Sequence, residues 1–163
     1  MNYHTNDGET RFNPNLYKNG KVCLSILNTW KGDQWTGCQS ISSILLALCT
    51  VLNNEPFLNE PGMTNKHSDF NRYNQVLAYK NYETAIVRMI RSSAIKERFP
   101  ELYQIMVDDF ILNYEKIMKV LDKNFTNTKE IIHVTTYNMS CYIDYPRVKD
   151  DLIVLYKDVN VKK

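Results

Sequence analysis

Four cysteines, at 23, 38, 49 and 141, and three histidines, at 4, 67 and 133, carry most of the reactive chemistry in this sequence. The cysteines lie far apart with no Cys-x-x-Cys pair, so neither a zinc ribbon nor a dithiol redox motif is written here, and no disulfide scaffold is expected. The histidines have no i, i+4 partner and no carboxylate at ligand spacing, so surface or hydrogen-bonded roles account for them and no metal site is expected. A dinucleotide-binding glycine fingerprint, a phosphate-cradling loop with Lys and Ser/Thr, and a Gly-x-Ser-x-Gly elbow are all missing, which removes nucleotide and hydrolase readings. Cys49 sits in an apolar run and reads as a small core hydrophobe, while Cys38 and Cys141 have no motif beside them to activate a thiol. Cys23 differs. It lies eight residues beyond Asn15 in the rigid Asn13-Pro14-Asn15 turn and just after Asn19-Gly20. A side-chain amide held by that turn could face a partly exposed sulfur, and such an amide is the donor an oxyanion needs.

The elements that must position these residues can be read from spacing. Residues 1–20 are polar and turn-rich, with Asn6-Asp7-Gly8, Asn13-Pro14-Asn15 and Lys18-Asn19-Gly20 as reversals. Lys21 to Leu27 alternates and predicts a short strand or extended segment. Asn28 to Cys38 holds both tryptophans, Trp30 and Trp35, as ring anchors of a loop. A Ser40 or Ser42 cap predicts a helix over 40–53, with Ile41, Ile44, Leu45, Leu48, Cys49 and Leu52 facing the core. A second helix is predicted from about Asn71, with Tyr73, Val76, Leu77, Tyr82, Ile86, Met89 and Ile90 in phase. Pro100 suits a first helical position, and a third helix to about Lys123 carries Leu102, Ile105, Met106, Phe110, Ile117 and Leu121. Ile131 to Tyr137 is β-branched and aromatic, as a strand would be, and a last helix begins near Pro146 with Val148, Leu152, Leu155, Tyr156 and Val159 aligned.

Length and charge bound the rest. With 163 residues, 44% hydrophobic and 23% charged, one packed domain is the default. A net charge of +2 forms no dense basic stripe, so no nucleic-acid partner is expected. The longest apolar run, Ile44 to Cys49, is too short for a bilayer, and the first residues lack the regions of a signal peptide. A cytoplasmic protein without a membrane partner is the expectation.

Several motifs in order carry a family resemblance. Asn13-Pro14-Asn15 with Cys23-Leu24 eight residues on resembles the ubiquitin-conjugating (E2) family, whose pattern is His-Pro-Asn and then Cys-Leu. Trp35 and then Ile41-Ser42-Ser43-Ile44-Leu45-Leu46 are similar to the family's tryptophan and the helix after its active site. Glu55-Pro56 and Glu60-Pro61 resemble its pair of Asp-Pro steps on the active-site rim. Arg11 to Tyr17, Leu27 to Gly32 and Glu55 to Gly62 most resemble the giant hybrid E2/E3 enzymes of the apollon (BRUCE) type, which also place Asn where other members have the first His. Thr36-Gly37-Cys38 stands where many members have the Ser-Pro-Ala loop that meets a RING ligase.

The resemblance implies an α+β protein with a UBC-like fold that lacks the family's first helix and most of its β-meander. Residues 1–123 would form the shortened core and residues 124–163 a helical C-terminal extension. It also implies a mechanism. A ubiquitin carboxyl, activated by an E1 enzyme that uses ATP, would pass to Cys23 as a thioester, and a lysine amine on a substrate protein would then attack it. An ordinary thiol with a pKa of ~8.5 is a few per cent thiolate at neutral pH, which for sulfur suffices without a histidine base. Asn15 would steady the turn or the oxyanion, and Glu60, with Asn59 beside it, would help desolvate and orient the lysine. No cofactor or metal would be bound, and the partners would be ubiquitin, the E1 enzyme, substrate proteins and an E3 ligase. The alternative is a non-catalytic E2-derived fragment that binds ubiquitin, a ligase or another protein. A third reading is a small helical structural protein whose cysteines are only core.

Overall fold

Ser40, rather than Ser42, starts the first long helix, because two serines answer each other's backbone. Ser40 Oγ accepts from the Ser43 N–H and Ser43 Oγ accepts from the Ser40 N–H, a reciprocal cap. The computed structural model describes residues 1–125 and 128–160. Its helices are α1 (Ile41–Val51), α2 (Phe70–Lys80), α3 (Met89–Arg91), α4 (Ser93–Arg98), α5 (Pro100–Asn124) and α6 (Tyr145–Asn160). One two-stranded sheet pairs β1 (Lys129–Val134) with β2 (Met139–Asp144), so the architecture is the expected α+β. The chain divides into two compact units, residues 1–77 with 133–139 and residues 78–132 with 140–163. The boundary predicted at 123 falls inside the second unit, and positions 126–127 and 161–163 of the predicted extension lie outside the described residues.

In the first unit, Leu16, Val22 and Leu24 form a buried cluster against which Ile44, Ala47, Leu48 and Val51 of α1 pack. The predicted stripe on α1 is corrected here, since Ile41 is 76% and Leu52 57% exposed, and Leu45 and Cys49 are exposed as well. Only Ser42, Ser43 and Thr50 of this helix are polar, so the apolar pattern runs nearly all round and spacing alone could not choose the face. The predicted strand or extended segment over 21–27 is met only in its first half. Lys21 and Val22 make isolated bridges to Asn2 and Leu16, and Ser25–Leu27 then winds into a 3₁₀ turn. Asn28, in the left-handed region at φ 56°, closes that turn by donating its N–H to Ser25 O.

A second cluster in this unit is aromatic. Phe57 is fully buried, with its ring centroid 5.5 Å from Tyr73 and 6.2 Å from Tyr137, and Tyr73 lies 5.2 Å from Tyr137. Asp69, buried just before α2, ties this cluster to the 3₁₀ turn Thr135–Tyr137. Its carboxylate accepts the Thr136 N–H and hydroxyl, both at 2.8 Å, and the Thr135 hydroxyl at 3.3 Å. Burial opposes ionisation of Asp69, yet these donors together outweigh it and hold the carboxyl below the usual carboxylate value.

In the second unit, α6 keeps the predicted face, with Val148, Leu152 and Leu155 buried. Val107, Phe110 and Leu121 are the buried positions of α5, whereas Leu102 and Ile105 of its predicted stripe are exposed. Tyr114 stacks on Tyr156 at 3.8 Å, and Phe125 on Tyr145 at 4.1 Å. After α2 the chain continues as a π-helix over Asn81–Arg88, whose i→i+5 turns each carry an extra residue. Thr84 and Val87 are its buried positions, whereas the predicted Tyr82 and Ile86, out of helical phase with Tyr73 and Val76, are half-buried. Within 124–163 the structure places a β-hairpin before the last helix: Ile132, Val134, Met139, Cys141 and Ile143 point inward, and Ile131 and Tyr142 outward. The predicted strand thus begins two residues earlier and stops at Val134, where the 3₁₀ turn and Asn138 at φ 46° reverse the chain.

Asp69→Asn should cost about 1–3 kcal/mol at neutral pH, because an amide cannot accept from all of these donors. Since the folded carboxyl ionises below its unfolded value of ~3.9, its contribution is complete above that pH and fades as pH falls through the lower folded value. Urea unfolding of both proteins at pH 7 and pH 3 should show the gap between them narrowing in acid.

Candidate active site

The segment around Cys23 has little regular structure, so its buried backbone groups need side-chain partners. Asparagines supply them. Asn13 Oδ1 accepts the Asn15 N–H at 3.0 Å and fixes the Asn13-Pro14-Asn15 turn from within. Asn15 and Cys23 are then braced twice: the Cys23 N–H donates to Asn15 O at 2.8 Å, and Asn15 Nδ2 donates to Cys23 O at 2.8 Å. Asn13 Nδ2 reaches across to Val51 O at 2.7 Å, at the C-terminal end of α1, and Asn59 Nδ2 donates to the same carbonyl at 2.7 Å. Immediately after Cys23, the Leu24 N–H donates to Thr29 Oγ1 and the Thr29 N–H donates to Leu24 O, which pins the loop carrying Trp30 beside the cysteine segment.

Spacing brought Asn15 and Cys23 together correctly, but the sulfur is not partly exposed. Cys23 is only 3% exposed, and both its backbone groups face Asn15. The exposed thiols among the described residues are Cys38 and Cys49, and Cys141 is buried in β2. The Asn15 amide is aimed at the Cys23 carbonyl, so its observed work is to hold the turn.

Glu60 belongs to a different cluster in the same unit. Its Oε2 accepts the Tyr137 phenol at 2.9 Å and faces Arg11 Nη2 at 4.0 Å. The Arg11 guanidinium lies over the Tyr17 ring at 4.0 Å and the Tyr137 ring at 4.8 Å, and Tyr73 donates its hydroxyl to Arg11 O at 2.7 Å. Burial, and then the nearby Glu60 carboxylate, raise the pKa of Tyr137, so the phenol stays a donor at working pH. Glu60 also lines an open groove of about 550 Å3 with Asn28, Thr29, Trp30, Lys31, Gly32, Gln34 and Pro61. A smaller pocket of about 210 Å3 is lined by Asn15, Leu24, Ser25, Trp30, Ala47, Thr50, Val51 and Asn59. Trp30 lines both, and so links the surroundings of Asn15 to those of Glu60. Sequence reasoning missed Tyr137, Arg11 and the anchoring role of Asn59. The first lies 77 residues from Glu60, and no local pattern points to that pairing.

Among the described residues, no three His, Cys, Asp or Glu side chains are grouped so as to hold a metal ion. A family model described as ubiquitin-conjugating enzyme matches residues 4–86, which takes in both clusters apart from Tyr137. The chain belongs to the ubiquitin-conjugating enzyme family. Its fold is accordingly UBC-like. The ubiquitin-conjugating enzyme E2 Z of Danio rerio is 36% identical over 138 residues, 83% of this chain and 39% of that protein. Its Homo sapiens counterpart is 35% identical over 122 residues, 74% of this chain and 34% of that protein. The Homo sapiens dual E2 ubiquitin-conjugating enzyme/E3 ubiquitin-protein ligase BIRC6 is 35% identical over 127 residues, 72% of this chain and 3% of that protein. The chain therefore spans less than two-fifths of the length of these ubiquitin-conjugating relatives.

Exposure orders the thiols for alkylation. Cys38 and Cys49 should react with iodoacetamide within the native protein well before Cys23 and Cys141. Asn15→Ala strands the Cys23 carbonyl, should lower stability by about 1–3 kcal/mol, and should speed Cys23 labelling. Mass spectrometry of the four cysteine peptides over time reads both.

Proposed function

We propose that this chain is an E2-type carrier in which Cys23 holds ubiquitin as a thioester and releases it to a lysine amine. An E1 enzyme, using ATP, presents the ubiquitin carboxyl as its own thioester. The Cys23 sulfur bonds to that carbonyl carbon, the bond to the E1 sulfur breaks, and the E1 thiolate departs. A lysine Nζ on a substrate protein then bonds to the same carbon while the bond to Cys23 breaks. Of the two protons the ammonium loses, one ends on the released thiol and the other in water. The paired bonds between Asn15 and Cys23, inside the family match, are the observation that carries this reading.

Each residue has a role in that sequence. An amide nitrogen carries two hydrogens, and Asn15 uses one on Cys23 O, so the second is left for an oxyanion formed at the neighbouring sulfur. Glu60, at the groove beside Trp30, accepts from the incoming ammonium and orients it. An E3 ligase serves as the further partner, as the family implies.

The 3% exposure of Cys23 favours a second reading, a non-catalytic module that binds ubiquitin or a ligase without carrying it. Incubation with E1, ATP and ubiquitin separates the two. A carrier gives an adduct that is lost on adding thiol and is absent from Cys23→Ala, while Cys23→Ser gives an ester that resists thiol. Folded protein without an adduct leaves the binding reading in place, and an adduct that survives Cys23→Ala removes Cys23 as the carrier. For a carrier, Asn15→Ala should slow release to lysine by about 100-fold.

A further inference from the structure

The two carboxylate oxygens of Glu60 are not equivalent. Oε2 accepts from the Tyr137 phenol at 2.9 Å and faces Arg11 Nη2 at 4.0 Å, whereas Oε1 has no partner among the described residues. Glu60 is half-buried on the wall of the groove that Trp30, Lys31 and Gln34 also line. Tyr137 is itself immobilised. It is buried, its ring lies 5.2 Å from Tyr73 and 6.2 Å from Phe57, and it ends the 3₁₀ turn whose Thr135 and Thr136 are bonded to Asp69.

The phenol decides where the carboxylate looks. Arg11 spends Nη2 on Pro14 O at 2.6 Å, and its approach to Glu60 at 4.0 Å is longer than a hydrogen bond. With the phenol gone, Glu60 would be free to close on Arg11 with both oxygens, the fork geometry a guanidinium favours, and turn away from the groove. With the phenol present, one oxygen is held and the other, on the groove side, stays free of protein partners among the described residues.

We propose that Tyr137 is a positioning residue for the acceptor amine: its hydroxyl anchors Glu60 Oε2 so that Oε1 is left to accept the lysine ammonium in the groove beside Trp30. This rests on the carrier reading of Cys23 and Glu60. In the step it serves, Glu60 holds the ammonium until it gives up one proton to water. The amine nitrogen then bonds to the thioester carbonyl carbon, the carbon–sulfur bond breaks, and the second amine proton ends on the departing Cys23 sulfur, which leaves as a thiol. Water attacking the same thioester has no ammonium to hold, so Tyr137 bears on aminolysis and not on hydrolysis.

The full chain, charged with ubiquitin and freed of E1, is followed as it loses ubiquitin to Nα-acetyl-lysine and, in parallel, to water. Tyr137→Phe should lower the ratio of aminolysis to hydrolysis by about five-fold, the scale of one lost hydrogen bond. Glu60→Gln should lower it at least as far, and the double variant no further than Glu60→Gln alone. Should Tyr137→Phe not fold, Glu60→Asp draws the carboxylate back from the phenol by one methylene and must lower the same ratio. An unchanged ratio, an equal fall in both reactions, or losses that add in the double variant would overturn the proposal. If the natural chain takes up no thiol-sensitive ubiquitin, the carrier reading itself fails and the positioning role falls with it. A charged chain whose ratio ignores Tyr137 removes the positioning role alone.

Discussion

Three asparagine side chains do for the Cys23 segment what a sheet or helix ladder does elsewhere. A loop buried against a core must find partners for its N–H and C=O groups, and an unpaired one costs about as much as a lost hydrogen bond. Asn13 satisfies Asn15, Asn15 satisfies Cys23, and Asn13 and Asn59 converge on Val51 O where α1 has run out of helical donors. These bonds set the distance between the turn and the cysteine and the distance from the turn to the end of α1. The remaining site geometry inherits both. Thr29 completes the frame by pinning the Trp30 loop to Leu24.

That frame has a chemical consequence. The contacts that locate Cys23 also occupy its backbone, and the thiol is buried with them. A nucleophile held in this way is well oriented, and any partner must gain access to it. The groove at Glu60 is different in kind, being open and walled by the exposed Lys31 and Gln34 together with Trp30. Arg11 balances the carboxylate there and is itself held by two tyrosine rings and the Pro14 carbonyl. Aromatic packing thus governs charge placement on this side, as amide bonding governs the cysteine side.

Where local pattern was decisive, the sequence was legible. Pro100 opens α5, Ser40 opens α1, and the apolar phase of α6 falls where its spacing put it. Reading failed where the periodicity was ambiguous or broken. On α1 nearly every position is apolar, so the buried face was chosen by Leu16, Val22 and Leu24. Beyond Lys80 the buried positions are Thr84 and Val87, and the predicted Tyr82 and Ile86 fall out of helical phase with Tyr73 and Val76. At Lys21–Leu27 the alternation described an extended chain, which holds as far as Leu24, but Ser25–Leu27 winds into a 3₁₀ turn closed by the left-handed Asn28.

By itself the sequence determined the family, the Asn15–Cys23 spacing, the elements with strong caps, and Glu60 as an acidic group at a Pro-bounded turn. These are properties of short stretches, in which residue type and separation limit the backbone directly. Only the tertiary structure decided that the Asn15 amide would face the Cys23 carbonyl, that the thiol would be buried, and that Tyr137 would meet Glu60 across 77 residues. Those outcomes depend on which buried polar groups are left to find each other once the core has closed, and no local pattern contains that choice.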